Sequence, residues 1–211
     1  MPAAYPYLKR FFDIIVSAVA LLCLLPVLAI LALWIKADSA GPALFRSRRL
    51  GRGGTPFTMY KLRTMKLNSP RLENPDGSCY AASGDPRLSR VGRILREFSL
   101  DELPQLWNVL TGQMSLIGPR PDEVAEARHY DSLFLEKLRV RPGITNLPAV
   151  SGRNSLTWRR RAELDKYYVD HLSLKLDLEI LLRTPGVVLS RKGVYTPPLP
   201  AARSTTLGGR A

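Results

Sequence analysis

The octapeptide Ser99-Leu100-Asp101-Glu102-Leu103-Pro104-Gln105-Leu106 sets two carboxylates side by side, just after the basic stretch Arg93-Ile94-Leu95-Arg96. An ionised carboxylate among cations and backbone N–H donors can attack a phosphorus centre or hold a divalent metal. A free Asp has a pKa of about 3.9, so at neutral pH such a nucleophile needs no separate base. The same residues also suit a purely structural role. Ser99-x-x-Glu102 fits a capping box, acids in a first helical turn complement the macrodipole, and Pro104 fits where no intrahelical N–H bond is needed. The two roles are compatible, because a helix N-terminus favours anions. A second candidate is Arg120 in Gly118-Pro119-Arg120-Pro121, where flanking prolines cut the entropy lost when a guanidinium grips a phosphate; a solvated surface turn is the ordinary alternative.

The elements that must position these groups sit in a chain of 211 residues, enough for one domain with a real core and short for two. Its 31 Lys+Arg against 18 Asp+Glu give a formal charge of +13, which suits nucleic acid, anionic headgroups or phosphorylated substrates. The two cysteines, Cys23 in an apolar run and Cys79 in a polar loop, argue against a structural disulfide and fit a reducing compartment. Two isolated histidines, His129 and His171, make a zinc site or a His-based triad a poor fit.

Residues 14–35 carry no charge, and at 1.5 Å per residue about 20 apolar residues span a bilayer. Pro26 lies near the middle of this run and removes a backbone bond. Lys9 and Arg10 precede the run, while Lys36, Arg46, Arg48, Arg49 and Arg52 follow it, so positive charge does not select one cytoplasmic end. Composition leaves two readings open: a straight span, or a helix that bends at Pro26 and returns to the same face.

Beyond the apolar run, residues 43–46 and 57–60 read as strands of a hairpin around Gly51-Arg52-Gly53-Gly54, whose glycines lack the spacing of a phosphate loop. Residues 68–84 form a polar Pro- and Gly-containing loop, either a lid or a surface insertion. Helices are expected over residues 89–98, 103–110 and 124–138, then as amphipathic segments over 158–172 and 176–189. In a chain already anchored in lipid, those last two can lie at the interface.

Taken in order, these segments strongly resemble the monotopic phosphoglycosyl transferases, the bacterial sugar transferase family. The resemblance rests on Lys9-Arg10-Phe11-Phe12-Asp13, Tyr60-Lys61-Leu62-Arg63-Thr64-Met65, the Asp101–Glu102 segment, and Met114-Ser115-Leu116-Ile117-Gly118-Pro119-Arg120-Pro121. It continues through Arg141-Pro142-Gly143-Ile144-Thr145, Ser151-Gly152-Arg153-Asn154 and Leu164-Asp165-Lys166-Tyr167-Tyr168. Each motif is weak alone; the ordered set, spanning almost the whole chain, is specific. It implies transfer of a phosphosugar from a nucleoside diphosphate sugar, usually a UDP-sugar, to a polyprenyl phosphate, with release of UMP. Carried over by motif, Asp101 is the nucleophile and Glu102 its Mg²⁺-binding partner, with both carboxylates at the metal. Arg96, Lys61, Arg63, Arg120, Arg153 and Asp165 are the substrate-binding residues. Asn146-Leu147-Pro148-Ala149 departs from the family's usual Gly, bulky residue, Ala and Gln, and Ala40 stands for a common Pro.

The expected fold is α+β and mostly helical, like the minimal members: a re-entrant membrane helix, a small β-hairpin and interfacial amphipathic helices around a single catalytic domain. Residues 1–38 would be the membrane anchor, 39–190 a catalytic domain on the cytoplasmic face of the bacterial inner membrane, and 191–211 a basic, disordered tail. Membrane lipid is an implied partner and a homo-oligomer is permitted. Nucleic acid is not expected as a partner, because the aromatics do not alternate with basic residues as in a stacking sheet. Two rival functions remain at this level: a non-catalytic, membrane-anchored basic binding module, and a phosphohydrolase that passes the same acyl-phosphate to water.

Overall fold

The structure, a computed structural model, describes residues 5–70, 72, 80–82 and 84–196. Most of the polar loop expected at 68–84, with Cys79, lies outside the described residues, as do residues 197–211 of the tail. The chain is mostly helical, with one antiparallel hairpin, as the α+β reading expects.

Helix α1, Tyr5–Asp38, runs through Pro26 and is long and apolar enough to cross a membrane. Little of it is covered: Leu22 is 76% exposed and Leu33 68%. What is covered lies at its two ends, and both ends pack on the same body. Near the start, Arg10 donates to the carbonyls of Val109 and Leu110 at 2.6 and 3.0 Å, capping the C-terminus of a later helix. Asp13 is buried and accepts from the Leu116 amide at 2.9 Å. Near the end, Leu31 and Ile35 join Leu62, Val91 and Leu95 in an apolar cluster, and Asp38 accepts from the Val91 amide at 3.2 Å.

The expected hairpin is present as β1, Leu44–Leu50, paired antiparallel with β2, Pro56–Leu62, around a single 3₁₀ turn at Arg52–Gly54. Helix α2, Arg90–Glu97, starts at Ser89, whose hydroxyl accepts from the Gly92 amide at 2.9 Å. Gly92 has no alternative there, because an added Cβ would fall 1.9 Å from the Thr64 carbonyl oxygen. A 3₁₀ turn, Leu100–Glu102, leads into α3, Gln105–Leu110.

Two short strands escaped the sequence reading. β3, Ser115–Ile117, pairs in parallel with β4, Gly143–Thr145. At their meeting point an added Cβ on Gly143 would lie 2.1 Å from the Gly118 nitrogen, so only glycine permits the approach. The helix expected over 124–138 is broken into a 3₁₀ segment Val124–His129, helix α4 at Ser132–Leu135, and a 3₁₀ turn Glu136–Arg139. Asp131 causes the break: its carboxylate accepts from the amides of Leu133 and Phe134 and starts a new helix.

Helices α5, Leu147–Ser151, α6, Trp158–Asp170, and α7, Leu174–Ser190, complete the chain. Tyr5, Ile117, Leu147, Val150, Tyr168, Val169, Leu172 and Ile180 form the cluster that unites them with the start of α1. On α7, Leu174, Leu178 and Leu182 repeat every four residues on an exposed face, matching the amphipathic expectation. Residues 191–196, assigned to the tail, pack back on the body: Val194 is buried, and the Thr196 amide donates to the Ala81 carbonyl at 2.7 Å.

Asp177 ties α1 to this core, accepting from Lys9 at 2.5 Å, from the Tyr168 hydroxyl at 2.6 Å and from the Tyr5 hydroxyl. Asp177→Ala leaves three buried or half-buried donors without an acceptor and is expected to destabilise the protein by about 3 kcal/mol. Tyr168→Phe keeps the acceptor satisfied and is expected to cost about 1 kcal/mol. Thermal unfolding in detergent measures both.

Candidate active site

A cavity of about 950 Å³ is the meeting point of nearly every element after α1. Its wall contains Asp101, Glu102, Lys61 from β2, Arg96 from α2, Arg120 after β3, Arg153 after α5 and Asp165 from α6. These candidate site residues therefore reach one space, although they are scattered along the chain from the hairpin to α6.

The geometry separates the two adjacent carboxylates. Glu102 Oε1 accepts from Lys61 Nζ at 2.8 Å and from Arg120 Nη2 at 3.0 Å, while Oε2 accepts from the Gln105 side-chain amide. Among the described residues no hydrogen-bond donor reaches the Asp101 carboxylate. Burial followed by the Glu102 charge pushes Asp101 up to about 6, against the pull of Lys61, Arg96 and Arg120. Glu102 is held well below the usual carboxylate range: burial raises it, but Lys61 and Arg120 outweigh that. Asp101 is thus more basic than a free Asp and still ionised at neutral pH.

The expected capping box is absent. Ser99 adopts a left-handed conformation, φ 55°, and its side chain caps nothing. The segment that follows is a 3₁₀ turn rather than α-helix, and Ser99 Oγ instead accepts from Arg153 Nη2 at 2.6 Å. A left-handed residue just before the carboxylate pair, held by a cation from a distant loop, is the kind of backbone constraint that clusters at functional sites. Arg153 Nη1 is buried without a protein partner.

Other residues have more specific roles than their motifs suggested. Arg63 lines the cavity, but its two terminal nitrogens donate to the carbonyls of Ala40 and Ser39 at 2.8 Å each, fastening the end of α1. Arg96 donates to Thr64 Oγ1 at 3.5 Å and otherwise acts through its charge, which pulls on Asp101. Sequence reasoning missed Gln105, whose i+3 spacing from Glu102 was the available signal. It also missed Asn108, buried and bonded to the Tyr60 amide and Thr58 carbonyl, which fixes β2 and so Lys61. At Asn146 the departure from the family pattern has a local consequence: the side chain caps α5 by accepting from the Ala149 amide at 2.7 Å. Pro148 follows in the first turn, and both Pro148 and Ala149 line the cavity.

Mg²⁺ binds oxygen ligands and is commonly held by one or two carboxylates, the remainder being water and substrate phosphate. The described residues contain no group of three or more metal-ligating side chains, so an all-protein cage is absent among them. A two-carboxylate site fits: Asp101 has unused oxygens, and Glu102 can share its own.

The chain matches the bacterial sugar transferase family over residues 4–191. It belongs to that family. It is 44% identical over 195 residues to a UDP-glucose:undecaprenyl-phosphate glucose-1-phosphate transferase of Caulobacter vibrioides, covering 89% of this chain and 72% of the relative. It is 39% identical over 200 residues to a UDP-galactose-lipid carrier transferase of Erwinia amylovora, covering 90% of this chain and 42% of the relative. An uncharacterized sugar transferase of Bacillus subtilis is 39% identical over 188 residues, covering 89% and 90%. The chain thus spans under half the length of some curated relatives and most of others.

The raised Asp101 makes a prediction about stability. A carboxyl with a folded-state pKa above its unfolded value holds its proton more tightly when folded, so its contribution falls as pH rises through the window from about 4 to about 6. Asp101→Asn removes that penalty. Relative to wild type, the variant is expected to gain at most about 3 kcal/mol between pH 4 and pH 7. Thermal midpoints of both proteins across that range check it.

Proposed function

We propose that this protein transfers a phosphosugar from a UDP-sugar to a polyprenyl phosphate through a covalent intermediate on Asp101. The observation that carries the reading is the split between the two carboxylates: Glu102 is neutralised by Lys61 and Arg120, while Asp101 is unpartnered, buried and basic. In the first step an Asp101 oxygen attacks the sugar-bearing phosphorus and the phosphoanhydride bond breaks, releasing UMP. In the second, an oxygen of the polyprenyl phosphate attacks the same phosphorus. The Asp101–phosphorus bond breaks, regenerating the carboxylate and yielding the lipid diphosphate sugar. Each step brings anions together, and Lys61, Arg96, Arg120 and Arg153 offset that repulsion. Asp165 contributes to binding of the donor. Asp101 and Glu102 would hold Mg²⁺, which would supply charge neutralisation at the diphosphate.

Placement follows from α1. Its two ends contact one folded body, at Arg10 and Asp13 and again at Leu31 and Ile35, which supports both ends lying on the same membrane face. The exposed apolar middle then enters the bilayer and returns, and the leucines of α7 rest on lipid beside it. The catalytic body faces the cytoplasm, where nucleotide sugars are made, at the inner membrane. A polyprenyl acceptor cannot leave the bilayer, so the enzyme has to work at this surface.

With a UDP-sugar alone, wild type is expected to release UMP and to gain the mass of one phosphosugar, seen by intact mass spectrometry. Asp101→Asn should show no adduct and at least about a 1,000-fold loss of turnover. Full turnover in that variant removes Asp101 from the nucleophile role. Excess chelator should silence wild type and Mg²⁺ restore it. UMP release that is undiminished by chelation dismisses the metal. For topology, a cysteine replacing the exposed Tyr7, in a chain with Cys23 and Cys79 changed to Ser, should resist impermeant reagents in intact cells. Labelling from outside means that α1 spans.

A further inference from the structure

One face of α6 presents Trp158, Arg161, Ala162 and Asp165 to the cavity, the i, i+3, i+4, i+7 spacing of a helical stripe. Trp158 and Ala162 can be read as ordinary packing, with Trp158 against Phe134 at 4.6 Å between ring centroids, and Arg161 brings a positive charge close to Asp165. Asp165 itself cannot be read as packing. Its side chain is 4% exposed, one oxygen lies 3.5 Å from Lys137 Nζ, and the other, Oδ1, is buried without any hydrogen-bond partner. Lys137 is closer to Asp122 Oδ2, at 2.7 Å, which also accepts from the Tyr130 hydroxyl at 2.6 Å. Lys137 is therefore shared by two carboxylates, with the Arg161 charge also acting on Asp165, and an acceptor is left over in the wall of a ligand-sized cavity. An unsatisfied buried acceptor is rare in native proteins and marks a place where something else supplies the donor.

The connection to the reaction runs through three consecutive residues. Arg120 grips Glu102, Pro121 fixes the backbone, and Asp122 grips Lys137, so the strap that carries the phosphate cation also anchors the Asp165 cluster. The group joined to the attacked phosphorus through a single ester oxygen is the sugar, while the nucleobase is beyond a second phosphate and a ribose. A sugar offers neutral hydroxyl donors and apolar ring faces, which match an unpartnered carboxylate oxygen beside Trp158 and Phe134. We propose that Asp165 is the residue that reads the glycosyl group of the donor, accepting a hydrogen bond from one of its hydroxyls, with Trp158 and Phe134 forming the apolar side of that subsite. The inference rests on the phosphosugar-transfer reading for the identity of the ligand, and a binding measurement tests it separately from turnover.

The experiment uses the full chain in nanodiscs, in an Asp101→Asn background so that no adduct forms. UDP-glucose, UDP-galactose, UDP-N-acetylglucosamine and UDP are titrated calorimetrically, followed by the single-deoxy analogues of the tightest sugar. At least one UDP-sugar should bind about 10-fold or more tighter than UDP, and adding Asp165→Asn should abolish that advantage while UDP affinity stays within about twofold. Removal of one sugar hydroxyl should weaken binding by about 10-fold while Asp165 is present, and by less than about twofold once Asp165→Asn has been added. Equal weakening of UDP and UDP-sugar by Asp165→Asn overturns the proposal and assigns the acceptor to the nucleotide. Should Asp165→Asn fail to fold, the deoxy series on the parent protein decides: no single deoxygenation weakening binding more than about threefold also overturns it. Failure to release UMP from any UDP-sugar in the protein with Asp101 intact bears on the transfer reaction and leaves these affinities readable.

Discussion

The interaction on which the site depends is the clamp on Glu102. Two adjacent carboxylates buried in one wall repel, and without compensation one would take up a proton and the site would lose a charge. Lys61 and Arg120 place both their cations on a single Glu102 oxygen, and Gln105 takes the other. Glu102 thereby stays ionised, and its charge adds to burial in raising the basicity of Asp101. Separate elements bring the clamp together: the hairpin delivers Lys61, the segment after the Gly118–Gly143 contact delivers Arg120, and the left-handed turn at Ser99 leads into the pair.

Much of this was legible in the sequence, for identifiable reasons. α1, α6 and α7 announce themselves through length and periodicity, and the hairpin through its glycines, because those signals are local. The carboxylate pair is local too. The parallel β3–β4 ladder was not legible: strands of three residues carry no period, and their pairing depends on a close approach between Gly118 and Gly143, far apart in the chain. The capping box failed because Ser99 takes a left-handed backbone, which nothing in Ser-x-x-Glu reveals. The single helix expected over 124–138 overlooked Asp131, a residue that competes for backbone amides.

Arg63 shows a subtler limit. A cation inside a motif of a phosphate-handling family reads as a ligand for phosphate, and it does line the cavity. Its two terminal nitrogens nevertheless close the carbonyls at the end of α1, the arrangement that stops a long helix and turns the chain into the hairpin. Residue type and neighbourhood give the charge, and only the fold tells which acceptor it meets. Asn146 is the converse case: a departure from the family's usual residue is a helix cap, and Pro148 and Ala149 of the same segment line the cavity.

The long apolar helix and the carboxylate pair are a single mechanical unit. Leu31 and Ile35 of α1 sit in the same apolar cluster as Leu95 of α2, and Leu100 and Leu103, which bracket Asp101 and Glu102, pack against it. The turn carrying Asp101 is thus seated directly on the part of α1 that leaves the apolar run. Close-packed interiors transmit displacement rather than absorb it, so a shift of the end of α1 is passed on to Asp101. Under the proposed transfer to a polyprenyl phosphate, whose own depth is set by the headgroup region, the Leu31–Leu95–Leu103 cluster would make the height of Asp101 a property of the fold rather than of a chance encounter.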